Sequence, residues 1–333
     1  MLPLVSVCIP TYNRPQPLAG VLAAIFRQTY PRVEVVVTDD GDSRKTIEAI
    51  RPFLDRIKYA DNGGRLGIYG NWNRSIELSS GDLVAVYHDH DIYSPHVIEE
   101  SVRPFTDHPR VGIVHTAVEM VWPDGSKSPI IHDLPPVARG TWFARRQALL
   151  FPSYVAHSAM MVRRDLYDRL GRFDESFGIA ADMEMLIRVS LACDVAYVPK
   201  PLIGYRARVP GDALFDFKWS HTEDYARVRR LNVRRAFVGA PLAGAVAAAR
   251  VEAQIDRRLL EQLAWCSIHR KQDLVEEGLG VVDRVGSRFA RTAARLIAGR
   301  SPVADTGRQM AYSAYKALQV VRARLRAGPA RRG

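Results

Sequence analysis

Asp89 and Asp91 flank His90 directly after the apolar run Leu83–Tyr87. Carboxylates this close suit a divalent cation, which takes oxygen ligands, or a polyol. Three other apolar runs end in similar polar residues: Pro10-Thr11-Tyr12-Asn13-Arg14, Asp39-Asp40-Gly41-Asp42 and Asp61-Asn62-Gly63-Gly64-Arg65. One acidic strand end is routine and needs no ligand; several aligned at one rim point to a cation or polyol site. Zinc held by His88, His90 and His96 is a competing reading. It is weakened by the alternation of a strand, which sends neighbouring His and Asp side chains to opposite faces. Further along, Asp182 opens the helix-like run Asp182–Arg188. A carboxylate there either caps the helix or takes a proton from a hydroxyl. Glu184, two residues on, would face away from it.

These residues need elements to hold them. Short apolar runs at Leu4–Ile9, Val33–Thr38, Ile57–Tyr59, Leu83–Tyr87 and Val111–Val121 alternate with helix-like stretches at Gln16–Gln28, Ser43–Leu54, Tyr69–Leu78 and Pro95–Phe105. Strand–helix alternation predicts a parallel α/β sheet. Runs that are apolar throughout predict strands covered on both faces. Ligands of such sheets bind at the carboxyl ends of the strands, where the polar residues fall. Residues 123–157 carry several prolines and read as a long binding loop with a short helix near Trp142–Leu150. A second α/β stretch follows: Ser158–Val162, a helix after Arg164, then Asp182–Ala192 and Val195–Val198. Beyond about residue 212 the pattern is helical throughout.

The segment Val5-Ser6-Val7-Cys8-Ile9-Pro10-Thr11-Tyr12-Asn13-Arg14 resembles the opening of family 2 glycosyltransferases. So do Val35–Gly41, the pair Asp89-His90-Asp91, and Phe173-Asp174-Glu175 followed by Asp182 and Arg188. Each motif is weak alone; the ordered set over about residues 4–210 is specific. The resemblance implies a GT-A-like, mostly parallel sheet flanked by helices over residues 1–211, with a helical extension over 212–333. It implies an inverting transfer from a nucleoside-diphosphate sugar to a hydroxyl of a saccharide or lipid-linked acceptor, in bacterial surface-polysaccharide synthesis. Asp91 is then the expected ligand of Mn2+ or Mg2+, with Asp89 contacting the metal, ribose or sugar. Asp40 is expected at the nucleobase, where a carboxylate suits the N3–H of UDP or dTDP. Pro10, Thr11, Tyr12 and Asn13 line the donor, with Tyr12 stacking on the base. Arg65 is a phosphate contact or a solvated loop arginine. Asp182 is the expected general base.

Several positions depart from the family's pattern. Ala181-Asp182 stands where Glu-Asp is usual, which retains only the second acid. Asn71-Trp72-Asn73 replaces a small-Arg-Asn pattern and leaves the diphosphate contacts open. Arg208, in Tyr205-Arg206-Ala207-Arg208, stands where histidine is usual; it can steady a diphosphate and cannot ligate a metal. His157 reads as structural.

The chain has 333 residues, 47% hydrophobic and 25% charged, as ordinary globular proteins do. Its three cysteines, Cys8, Cys193 and Cys266, are too far apart in sequence for a local metal motif, and a reducing, cytoplasmic location is expected. No signal peptide or membrane-spanning run is read. Residues 284–333 hold twelve Lys/Arg and one acid, Asp305, which accounts for the whole net charge of +11. Basic helical runs at Arg288–Ile297 and Tyr312–Leu325 predict either peripheral contact with an anionic membrane surface or an arm that packs on a second subunit. Two other functions fit the sequence less well. A nucleotidyltransferase would need a Gly-rich basic phosphate loop that Pro10–Pro15 does not supply. A nucleic-acid-binding protein would need a recognition motif, and the basic tail has few interleaved aromatics.

Overall fold

The computed structural model describes residues 2–150, 155–206, 218–269 and 271–298. They fall into two compact units, divided after Ser176 and at Ala181: the described residues up to 176 with 181–206, and residues 177–180 with those described from 218 to 298.

The first unit alternates strand and helix through its opening half: β1 (Val5–Thr11), α1 (Pro15–Ile25), β2 (Val33–Asp39), α2 (Ser43–Ile50), β3 (Lys58–Asp61), α3 (Ile68–Leu78) and β4 (Leu83–Val86). These strands pair in parallel in the order β3-β2-β1-β4. All seven residues of β1 are buried, as a strand covered on both faces requires. α1 starts at Pro15, whose fixed φ and missing N–H suit a first helical turn. It turns Leu18, Val21, Leu22 and Ile25 inward against the sheet. Full burial of each such aliphatic side chain contributes about 1.5–3 kcal/mol.

The second half of the sheet is mixed. It adds β5 (Ile92–Tyr93), α4 (Val97–Asp107), β6 (Val111–Val121), β7 (Lys127–Ile130), β8 (Val137–Ala138), α5 (Gly140–Ala148), β9 (Met160–Arg163), α6 (Arg164–Leu170), α7 (Ala181–Ser190) and β10 (Asp194–Arg206). β9 lies antiparallel between β4 and β6, while β10 runs parallel to β6. The sheet is thus mostly parallel, as expected, with antiparallel pairing where β9 enters. The expected 123–157 loop also contains β7 and β8, which pair antiparallel with β6 and β10. β10 is far longer than Val195–Val198. Pro199 and Pro201 hid its continuation, and the strand absorbs them with register shifts between Val198 and Ile203.

The second unit contains α8 (Trp219–Ala236), α9 (Pro241–Ile268), α10 (Gln272–Val285) and α11 (Arg288–Ala298). Trp219 is fully buried and its indole N–H donates to the Leu274 carbonyl at 2.7 Å. α10 crosses the ring at Gly278, where a Cβ would lie 2.3 Å from the indole. α11 buries Ala290, Ala294 and Ile297 and leaves Phe289 exposed. That helix packs against α9 and α10. The second basic run, Tyr312–Leu325, lies outside the described residues. Among those described, no helix is long and apolar enough to cross a membrane.

Candidate functional site

β1, β2 and β3 end in register, with Thr11 beside Asp39 and Asp39 beside Asp61. The Thr11 carbonyl accepts the Asp40 N–H at 3.1 Å and the Asn71 amide at 3.0 Å. Asp40 is buried; one carboxylate oxygen accepts from Asn62 Nδ2 at 2.7 Å and the other from the Gly67 N–H at 2.8 Å. Gly67 has φ +82°, a conformation that glycine adopts without strain. Asp40 therefore closes the 62–67 loop onto the end of β2. Asn13, at φ +53°, accepts the Asp42 N–H at 2.9 Å. Gly41 is required beside it, because a Cβ there would lie 2.5 Å from the Asn13 oxygen. Pro10 is buried in β1. Tyr12 is exposed, and the Arg65 guanidinium sits 4.6 Å above its ring. Thus Pro10, Thr11, Tyr12, Asn13, Asp40 and Arg65 cluster around the first two strand ends. Arg208 lies outside the described residues.

β4 stops at Val86, and residues 87–91 make a turn. The strand alternation that argued against a shared His/Asp site therefore does not apply to them. His88 and His90 lie parallel, with ring centroids 5.5 Å apart. Potential ligand atoms of His88, His90 and Asp91 all fall within 4.8 Å of one another, the sole such group among the described residues. His96 is exposed and faces Glu99 and Thr29 instead, so the histidine-only trio does not form. Asp89 is buried and takes a different role. It accepts from Thr11 Oγ1 at 2.7 Å and Arg14 Nη1 at 3.3 Å, with His90 Nδ1 at 2.9 Å. Burial alone would raise its carboxyl; His90, Arg14 and Thr11 together hold it below the usual range. Burial likewise opposes ionisation of Asp91, and His88 and His90 beside it keep it below the usual range.

A cation fits this turn by one specific test. Asp91 Oδ2 and His88 Nδ1 are buried and 3.1 Å apart, yet neither has an aligned hydrogen-bond partner. Two buried donor atoms this close, neither completed by an aligned hydrogen bond, are an environment that an ion can complete.

α3 links the turn to Asp182. Its Trp72 stacks on His157 at 4.6 Å and approaches His88 at 5.7 Å. Its Tyr69 packs on Trp72 and on Phe173 and donates its hydroxyl to Asp182. Asn73 pairs its amide with the backbone of Phe173. The unusual Asn71-Trp72-Asn73 is thus turned into the protein as scaffold. Asp182 lies in the first turn of α7 and accepts the Met183 N–H at 2.7 Å. Burial raises its carboxyl above the ordinary value despite that hydrogen bond and the one from Tyr69. Glu184 is buried and committed to Arg188 at 2.9 Å. Arg188 in turn donates to the carbonyls of Leu170, Gly171 and Arg172. His157 is buried among aromatics and is held neutral, its imidazole pushed down to about 3. From sequence, His88 enters only as a zinc ligand beside His90 and His96, and neither the role of Arg14 nor the packing of Tyr69, Trp72 and Phe173 on one another is foreseen.

Residues 6–171 match the family described as Glycosyl transferase family 2. The chain is 25% identical over 221 residues to an uncharacterized glycosyltransferase of Haemophilus influenzae, covering 61% of this chain and 65% of that protein. It spans just under two thirds of the length of such curated relatives. Among solved structures it is similar to residues 1–349 of S. aureus TarS in complex with UDP-GlcNAc, with TM-score 0.65 and 17% identity, covering 94% of this chain and 92% of that one. It is also similar to the mannosyltransferase PcManGT of Pyrobaculum calidifontis, solved with GDP-Man and Mn2+, with TM-score 0.53 and 18% identity, covering 96% and 88%. At these identities the structures establish the fold, which is GT-A.

Proposed function

Residues 6–171 belong to glycosyl transferase family 2, and from that premise we propose an inverting, metal-dependent transfer from a nucleoside-diphosphate sugar to an acceptor hydroxyl. UDP and dTDP sugars are the favoured donors, and a saccharide or lipid-linked molecule of surface-polysaccharide synthesis is the acceptor. The observation that carries the reading is Asp182: a carboxyl raised by burial and tethered through Tyr69 and Trp72 to the His88/Asp91 turn. A base held above the usual carboxylate range and joined through α3 to a cation seat suits this chemistry.

In this reading Asp182 takes the proton of the acceptor hydroxyl as its oxygen attacks the anomeric carbon. The bond from that carbon to the diphosphate oxygen breaks, and configuration inverts. Asp91, His88 and His90 would hold a divalent cation, which would offset the charge on the departing diphosphate. Asp40 accepts the base N3–H, Thr11 fixes Asp89, and Asp89 faces the sugar or ribose. Tyr12 and Arg65 cover the base.

The test is a panel of UDP-, dTDP- and GDP-sugars incubated with the full chain and Mn2+, with release of free nucleotide measured alongside thermal shift. A ligand of the native state must raise its melting temperature. UDP or dTDP compounds should do so and be slowly hydrolysed. Absence of both effects across the panel defeats the proposal.

A further inference from the structure

We propose that Asp224 of α8 is a positioning residue for Asp182: the helical unit sets the general base by holding the turn that leads into α7. The inference rests on the transferase reading of Asp182.

Residues 177–180 part from their neighbours in sequence and pack with the helical unit. Asp224 holds them there. Its Oδ2 atom accepts the Ile179 N–H at 3.2 Å. Its Oδ1 atom faces Arg227 Nη2 at 3.8 Å, and the Arg227 guanidinium sits 5.0 Å above the Phe177 ring. The carboxylate reaches this backbone because position 178 has no side chain. A Cβ on Gly178 would lie 2.0 Å from Asp224 Oδ2, and the φ of +54° suits glycine. Gly178, Asp224 and Arg227 thus form one clasp.

The clasp has a short path to the chemistry. The turn Glu175–Ala180 runs into α7 at Ala181 with no loop between them, and Asp182 lies three residues beyond Ile179. Ala180 and Ala181 are fully buried, so close packing leaves that junction little slack. Upstream, Asn73 fastens the Phe173 backbone. The lead-in to Asp182 is therefore held at two points, and α8 supplies the nearer one. A misplacement of about 1 Å in a catalytic group can cost about 100-fold in rate.

The experiment uses the full chain with Mn2+ and a UDP- or dTDP-sugar. Hydrogen exchange across the clasp and the start of α7 is measured beside kcat of donor hydrolysis and UDP affinity. The Met183 N–H, which Asp182 accepts at 2.7 Å, reports where that carboxylate lies. Asp224→Ala should speed exchange from Ile179 through Met183 and lower kcat by about tenfold or more, with UDP affinity held within about twofold. Asp224→Asn keeps an oxygen acceptor and should restore most of the rate. Arg227→Gln, at an exposed position, should give the same pattern at smaller size even if Asp224→Ala does not fold. Unaltered kcat in the folded variants, kcat and UDP affinity lost in step, or unchanged exchange at Met183 overturns the proposal. Wild-type turnover separates the two readings. A chain that hydrolyses no sugar nucleotide, with Met183 still answering to Asp224, keeps the clasp and removes the transferase; turnover with Met183 indifferent to Asp224 does the reverse.

Discussion

The Asn73 side chain makes a reciprocal pair of hydrogen bonds with the backbone of Phe173, 100 residues away: its amide donates to the carbonyl at 2.8 Å, and its oxygen accepts the N–H at 3.0 Å. The pair fastens the segment leading to Asp182 onto α3. Asn73→Ala removes both bonds and should cost about 2 kcal/mol of stability, at about 1 kcal/mol each. Because the base would be displaced, kcat should fall at least tenfold while nucleotide affinity changes little. Chemical denaturation together with kcat and nucleotide titration checks this; a stability loss with unaltered kcat would confine Asn73 to folding.

Asp182→Asn separates base from cap. Asparagine caps a helix as well as aspartate does, so a capping role predicts little change. As general base, its loss should lower kcat by about 10²–10⁴ with donor binding intact. The raised carboxyl adds a second readout. A folded pKa above the unfolded value means the native state loses stability as pH rises through that window, so the group contributes less stability at pH 7 than at low pH. Asp182→Asn should therefore raise the melting temperature at pH 7. In the wild type, the acidic limb of kcat should fall above the ordinary 3.8 of an aspartate. A variant with full activity removes Asp182 from the chemistry.

Asp40→Ala should weaken UDP or dTDP binding by about 1–3 kcal/mol, through loss of a charge-assisted hydrogen bond. It also releases Asn62 and the Gly67 N–H, so the 62–67 loop should exchange amide protons faster. Mn2+ affinity without nucleotide should stay unchanged. Calorimetry with each ligand decides it, and unaltered nucleotide affinity refutes a base-pocket role.

His115 is buried between Phe143 and Tyr197, and neither ring nitrogen has a hydrogen-bond partner among the described residues. Burial pushes its imidazole down from 6.5 to about 3. The native state then binds fewer protons than the unfolded chain between those values, so stability is full above about pH 6.5 and declines as pH falls toward 3. One such group contributes a slope of about 1.4 kcal/mol per pH unit. His115→Phe should remove that share and raise stability at pH 5 relative to pH 7. Equal slopes in urea unfolding for both proteins would contradict it.

The opening sheet was legible because β1, β2 and β4 are apolar throughout and stop at polar residues, so Thr11, Asp40 and Asp89 could be placed at one rim. β7, β8 and most of β10 were not, because Pro199 and Pro201 read as breaks and short edge strands carry no periodic signal. Asp91 and Asp182 stood out by type and order. His88 was discounted because an extended strand was assumed where residues 87–91 turn. Trp72, His157 and Phe173 meet only in the fold, from segments some 85 to 100 positions apart, and nothing in their local sequence announces it.

α3 faces inward with Tyr69, Asn71, Trp72 and Asn73, each serving a different part of the site. A change at any of them disturbs several functions at once, which leaves that helix little room to drift. The Tyr12–Arg65 pair, exposed at the lip, has no such burden. Directed evolution toward a different nucleotide donor should therefore start at those two positions, where new contacts can be tried without rebuilding the catalytic frame.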